Sequence, residues 1–81
     1  PFNPSTVISF DLPRDGRVSL RVFDVRGRLV RTLVDGDRPA GAHAVDWDGR
    51  DDRGAPAASG VYLYRLEAGG QARQRSMLLV K

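Results

Sequence analysis

Apolar and polar residues alternate along this chain, and the alternation is broken about every ten positions by Gly, Pro, Asp or Asn. No other feature restricts the fold as much. A period of two sends successive side chains to opposite faces of an extended backbone, so each run has one face to bury and one to expose. Ile8, Phe10 and Leu12 share a face of Thr6–Leu12, opposite Val7, Ser9 and Asp11. Val18, Leu20 and Val22 do the same within residues 17–24, as do His43, Val45 and Trp47 further on. Runs at 28–34, 61–67 and 72–81 complete six strands, and a short seventh is expected near Ala57. Breakers at 13–16, 24–28, 35–41, 49–56 and 68–71 separate the runs, and no segment needs a helix.

Short antiparallel strands joined by tight turns are most economically arranged as an immunoglobulin-like β-sandwich, all-β and of six to seven strands. The Asp24-Val25-Arg26-Gly27-Arg28 stretch reads as a type I turn closed by a Gly bulge, with Gly27 at positive φ. The last hairpin turns at Ala68-Gly69-Gly70-Gln71, and two registers remain open. A two- or four-residue loop sets Glu67 opposite Ala72; a five-residue loop sets it opposite Arg73 and reverses which of Met77, Leu78, Leu79 and Val80 turn inward. Residues 1–5 read as a lead-in from an upstream linker and 6–81 as a single domain.

With 81 residues there is room for one core, and Trp47, the only tryptophan, is its expected anchor. The absence of cysteine removes disulfides, thiolate nucleophiles and Cys-ligated metals. Twelve arginines and Lys81 are interleaved with nine aspartates and Glu67, giving a formal charge of +3. Cations scattered in this way describe a solvated surface, not the basic stripe of a nucleic-acid module, so no nucleic-acid partner is expected. No apolar run approaches the roughly 18 residues of a membrane span, and no stable membrane insertion is expected.

Catalytic groups are sparse. His43 is the sole histidine, no Gly-x-Ser-x-Gly elbow is present, and no Gly-rich loop leads into Lys-Ser or Lys-Thr, so the chain reads as a non-enzyme that needs no cofactor. Asp46 and Asp48 have the spacing of a carboxylate pair, but a solvent face beside Trp47 explains them equally. Asp48, Asp51 and Asp52 are weak candidates for a hard-cation loop; the EF-hand pattern fails, with Asp51 where Gly is required and Ala57 where Glu is required. Trp47, Tyr62, Tyr64 and Phe23 could stack on sugars, but their spacing suits core and rim.

In order along the chain, Pro1-Phe2-Asn3-Pro4-Ser5-Thr6, Ile8-Ser9-Phe10-Asp11-Leu12-Pro13, Phe23-Asp24-Val25-Arg26-Gly27-Arg28, Val45-Asp46-Trp47-Asp48-Gly49, Gly54, Ser59-Gly60-Val61-Tyr62 and Met77-Leu78-Leu79-Val80-Lys81 resemble the type A C-terminal sorting domains of the bacterial type IX (Por) secretion system. Pro4, Gly27, Trp47, Gly49 and Gly54 are the structural marks of that resemblance. The same pattern is similar to the immunoglobulin-like domain of the flagellar hook-capping protein, and the ending on Lys81 favours the sorting family.

The sorting resemblance implies a targeting module without catalysis, attached to an upstream cargo and read by outer-membrane secretion machinery, with removal by a sortase-like protease. It implies a recognition surface at Gly60, Tyr62, Leu79, Val80 and Lys81. The cargo would cross the periplasm and finish at the cell surface or in the medium. The hook-cap resemblance implies instead a structural or interaction module that stays in place.

Overall fold

The computed structural model describes residues 6–80; Pro4, Lys81 and the lead-in segment lie outside that range. Six strands run in chain order: β1 Thr6–Leu12, β2 Gly16–Asp24, β3 Leu29–Arg38, β4 Gly41–Trp47, β5 Gly60–Ala68 and β6 Gln71–Leu79. They form two antiparallel sheets, a small one of β1 and β4 and a large one ordered β3-β2-β5-β6.

The inward positions of each strand form the core. Ile8, Phe10, Leu12, Val18, Leu20 and Val34 make an upper cluster, and Val22, Trp47, Tyr62 and Leu79 a lower one. Leu33, Tyr64 and Met77 pack against both clusters and make the interior continuous. Trp47 is fully buried, as the anchor role requires.

The β2–β3 hairpin closes as the sequence indicates. Gly27 N–H donates to the Asp24 carbonyl at 3.0 Å, Asp24 N–H donates to the Arg28 carbonyl at 3.0 Å, and Gly27 sits at φ 86°. Only glycine takes that backbone conformation without a Cβ penalty. The Asp24 carboxylate accepts from the backbone N–H of Arg26 at 2.9 Å and of Arg28 at 3.0 Å, and from Arg28 Nε at 3.0 Å. Chiefly the Arg28 backbone bond, with its guanidinium, holds the Asp24 carboxyl below its ordinary value of 3.8 despite some opposing desolvation.

Two expectations need correction. The polar stretch 35–41 was expected to be a loop, yet β3 continues to Arg38, with Ser19 opposite Asp35 and Gly16 opposite Arg38. Its position at the sheet edge is the reason: an edge strand tolerates polar residues, and Asp35 accepts from the Arg17 guanidinium on β2. Breaks in register between Leu20 and Arg21 and between Val22 and Phe23 leave Leu33 and Val30 as bulge residues, so strict alternation fails along β3. The seventh strand near Ala57 is reduced to one isolated bridge between Arg50 and Pro56.

The last hairpin adopts the first of the two registers. Ala68 pairs with Gln71 and Glu67 with Ala72, leaving Gly69 and Gly70 as a two-residue turn at φ 57° and 77°. Two consecutive positive φ values match the twist of the flanking strands. Met77 and Leu79 therefore point inward, while Leu78 and Val80 are exposed.

Candidate protein-docking surface

The three aspartates considered for a cation act as turn braces. Asp48 Oδ1 accepts from Arg50 N–H at 3.0 Å and Arg31 Nη1 at 3.2 Å. Asp51 Oδ1 accepts from the N–H groups of Arg53 and Ala55, both at 2.9 Å. Asp52 Oδ1 accepts from Thr32 N–H at 3.0 Å, tying the loop to β3. Arg31 thus lies between Asp48 and Asp52 and also donates to the Arg50 carbonyl at 3.3 Å. With a cation among them and lone pairs directed at backbone N–H groups, these carboxylates do not converge on a common point. Among the described residues, no group of three or more His, Cys, Asp or Glu residues could hold a metal ion. Gly49 and Gly54 sit in the same loop at φ 76° and 84°.

Trp47 connects this loop to the core. Its Nε1 donates to the Arg50 carbonyl at 2.9 Å, and its ring meets Tyr62 edge-on, with centroids 5.1 Å apart and planes at 72°. Tyr62 in turn donates its hydroxyl to the Ala58 carbonyl at 2.6 Å. His43 stacks on Phe10 across the β1–β4 pair at 5.3 Å, and its Nε2 lies 2.7 Å from the Pro39 carbonyl. Among the described residues, its ring meets Phe10 and the Pro39 carbonyl, neither of them an acid, a base or a nucleophile.

The residues marked by the sorting resemblance fall into two environments. Gly60 pairs with Leu79, and Tyr62 and Leu79 belong to the lower core cluster, so neither side chain faces solvent. Val80 is exposed, and Lys81 lies outside the described residues.

A surface that sequence reading missed lies on the outer face of the large sheet. Cross-strand partners share a face. Phe23 is partnered by Leu29 on one side and Leu63 on the other, and Val61 by Leu78. Phe23 and Leu63 are half-buried; Leu29, Val61 and Leu78 are about half exposed or more, at 50%, 48% and 62%. Five apolar side chains from four adjacent strands therefore form one continuous band, bordered by Arg21, Arg65 and Gln74 of the next row. Contiguous apolar surface, unlike isolated exposed residues, is where contact sites are found, which makes this band the candidate docking surface. Its sequence trace was faint, because alternation sets Phe23 opposite Val18, Leu20 and Val22 but only the register shows which apolar residues of neighbouring strands lie beside it.

Comparison with known proteins gives a consistent result. The model of the FlgD Ig-like domain matches residues 3–72. The basal-body rod modification protein FlgD of Salmonella typhimurium (strain LT2) is 33% identical over 67 residues, which take in 83% of this chain and 28% of that protein. The Salmonella typhi protein of the same description gives the same figures. The chain thus spans 28% of the length of these curated relatives. Among solved structures, FlgD from P. aeruginosa superposes with a TM-score of 0.68 at 25% identity, covering 93% of this chain and 61% of that one. FlgD from Xanthomonas campestris, whose structure is described in connection with the hook capping essential for flagellar assembly, gives a TM-score of 0.71 at 22% identity over 95% of this chain and 58% of that one. All of these likenesses fall on the hook-capping side of the resemblance, not on the sorting side that the ending on Lys81 favoured.

Proposed function

Because this chain belongs to the FlgD Ig-like domain family, we propose that it is a non-catalytic interaction module of a larger bacterial assembly factor of the hook-capping type. It would hold its parent protein against neighbouring subunits during flagellar assembly. The observation that carries this reading is the apolar band of Phe23, Leu29, Val61, Leu63 and Leu78, set on a sheet face with no covering layer among the described residues. A rigid sheet presents such a band at little entropic cost, and burial of three or four aliphatic side chains at about 1.5 kcal/mol or more each supplies useful binding free energy.

The test is complementation in the source bacterium, with the segment removed from its parent protein and then restored as wild type or as a Val61→Ser, Leu78→Ser double variant. Loss of hook assembly on removal, rescue by wild type, and failure of the double variant with an unchanged melting temperature are expected. Normal hooks without the segment would overturn the proposal.

A sorting role is the second reading, and one observation favours it: Gly60, Tyr62 and Leu79 converge at one end of β5 and β6, beside exposed Val80. In that role the module would follow a secreted cargo, meet outer-membrane machinery and a sortase-like protease, and leave its cargo at the cell surface or outside the cell. A periplasmic reporter fused ahead of residues 1–81, in a host with that machinery, tests it. Retention of the reporter in the periplasm would eliminate this reading without touching the first.

A further inference from the structure

We propose that the free edge of β1 and the inner face of β6 form a slot for one additional strand, and that its occupant is an extended acidic segment of a partner protein. The slot follows from the unequal sheets. Two strands lie opposite four, and since strands are spaced by about 4.8 Å, a two-stranded sheet cannot cover a four-stranded one. The uncovered part is an open trough of about 1460 Å³. One wall is the β1 stretch Ser9 to Leu12, and the floor is the inner row of β5 and β6: Tyr64, Leu66 and Ala68, then Gln71, Arg73 and Arg75.

The edge is suitable for pairing. β1 runs in register with β4 for seven consecutive pairs without a bulge; its one charged residue is Asp11, on the face opposite Phe10 and Leu12, and the strand contains no proline, lysine or arginine. Those are the usual devices that keep an edge from accepting a further strand. By contrast, the β3 edge is interrupted by two shifts of register. A strand added to β1 would lie over β5 and β6 and supply the third strand of the small sheet.

Charge selects the occupant. Arg73 and Arg75 point to the same side as Met77 and Leu79, yet both are exposed, and neither has an ion-pair partner among the described residues. Inward-pointing cations protect the β6 edge itself from stray pairing, but that leaves the β1 edge beside them open. An incoming strand with carboxylates at alternate positions places them over these guanidiniums, while its backbone bonds to β1. The slot lies on the opposite side of the large sheet from the apolar band, so this proposal and the preceding one stand or fall separately.

The experiment uses the full chain and a blocked, fluorescently labelled decapeptide of alternating Thr and Glu, with binding read by anisotropy and amide exchange. Expected are saturable binding that weakens with salt, new protection at β1 amides, and at least about a tenfold loss of affinity in an Arg73→Glu, Arg75→Glu double variant that melts like wild type. That variant should instead bind the Thr–Lys decapeptide. A Thr–Glu peptide methylated at every backbone nitrogen, which has no N–H to offer on either edge, should not bind either chain. No binding up to about 1 mM, equal binding by the N-methylated peptide, or protection that avoids β1 would each overturn the proposal. So would β1 protection that appears only with concentration-dependent self-association, which would give the edge to a second copy.

Discussion

Replacing Trp47 with Phe tests whether one indole secures the lower core to the 48–57 loop. The native ring is fully buried, meets Tyr62 edge-on at 5.1 Å and donates to the Arg50 carbonyl at 2.9 Å. Phenylalanine keeps an aromatic ring at the end of β4 but leaves a space of about 40 Å³, which at about 24 cal/mol per Å³ costs about 1 kcal/mol. The lost hydrogen bond adds about 1 kcal/mol. The Arg50 carbonyl is not orphaned, since Arg31 Nη1 also reaches it at 3.3 Å, and the larger penalty for an unsatisfied buried acceptor does not apply. With a urea m-value of about 1 kcal/mol per M for a chain of this size, a total near 2 kcal/mol lowers the midpoint by about 2 M. Amide exchange supplies the second readout: the N–H of Asp52, bonded to Val30 at 2.9 Å, and of Ala57, bonded to Gly49 at 2.8 Å, should lose protection. A loss below about 0.5 kcal/mol, within the range of ordinary surface substitutions, or loop amides as protected as before, would refute the anchoring role.

Gly70→Ala forces a side chain into a turn residue at φ 77° and should cost about 1–2 kcal/mol in urea unfolding. Gly16→Ala has open space and no left-handed backbone, and should stay within about 0.5 kcal/mol of wild type. Asp51→Ala removes the acceptor for two backbone N–H groups and should cost about 1 kcal/mol, with faster exchange at the Ala55 amide as the local check. Asp24, whose pKa is lowered on folding, contributes stability that is present above its unfolded-state value and lost as pH falls through the lower folded one. Acid titration of Asp24→Asn should accordingly show a flatter decline in stability over that interval than wild type, and an identical decline would remove Asp24 from the account.

The sequence revealed most about the strands that face each other across the core and least about the edges of the large sheet. In β1 and β2 the inward residues are apolar at every alternate position, because those strands pack across the interior from each other, and the face assignments of Ile8, Phe10, Leu12, Val18, Leu20 and Val22 agree with the structure. β3 and β6 lie at the edges of the large sheet, where half the constraint is missing. Asp35, Gly36 and Asp37 could therefore remain in a strand while resembling a loop, and Leu33 and Val30 could occupy bulges. The register of β5 and β6 depended on a two-residue turn that Ala68-Gly69-Gly70-Gln71 permits but does not impose. The outer apolar band was hidden for a related reason: alternation sets Phe23 opposite Val18, Leu20 and Val22, but only the cross-strand register brings Leu29, Leu63, Val61 and Leu78 beside it.

The polarity switch within β6 connects these observations. Its inward positions run Gln71, Arg73, Arg75, Met77 and Leu79, while their partners on β5 remain apolar at Ala68, Leu66, Tyr64 and Tyr62 until Gly60. A strand whose inner face was covered along its whole length would be apolar throughout, since an unpaired buried guanidinium is far too costly to retain. The change from Arg75 to Met77 therefore marks where the interior ends, and the partial exposure of Tyr64 and Leu66 beside it is built into the sequence. The shortage of strands leaves the trough open on the inner side of the large sheet, while the apolar band lies on its outer side. The outer face of the large sheet offers apolar side chains to a preformed partner surface, and the trough offers backbone and cations to an extended one. If both proposed contacts form, they lie on opposite sides of one sheet and hold their partners at a separation set by its thickness.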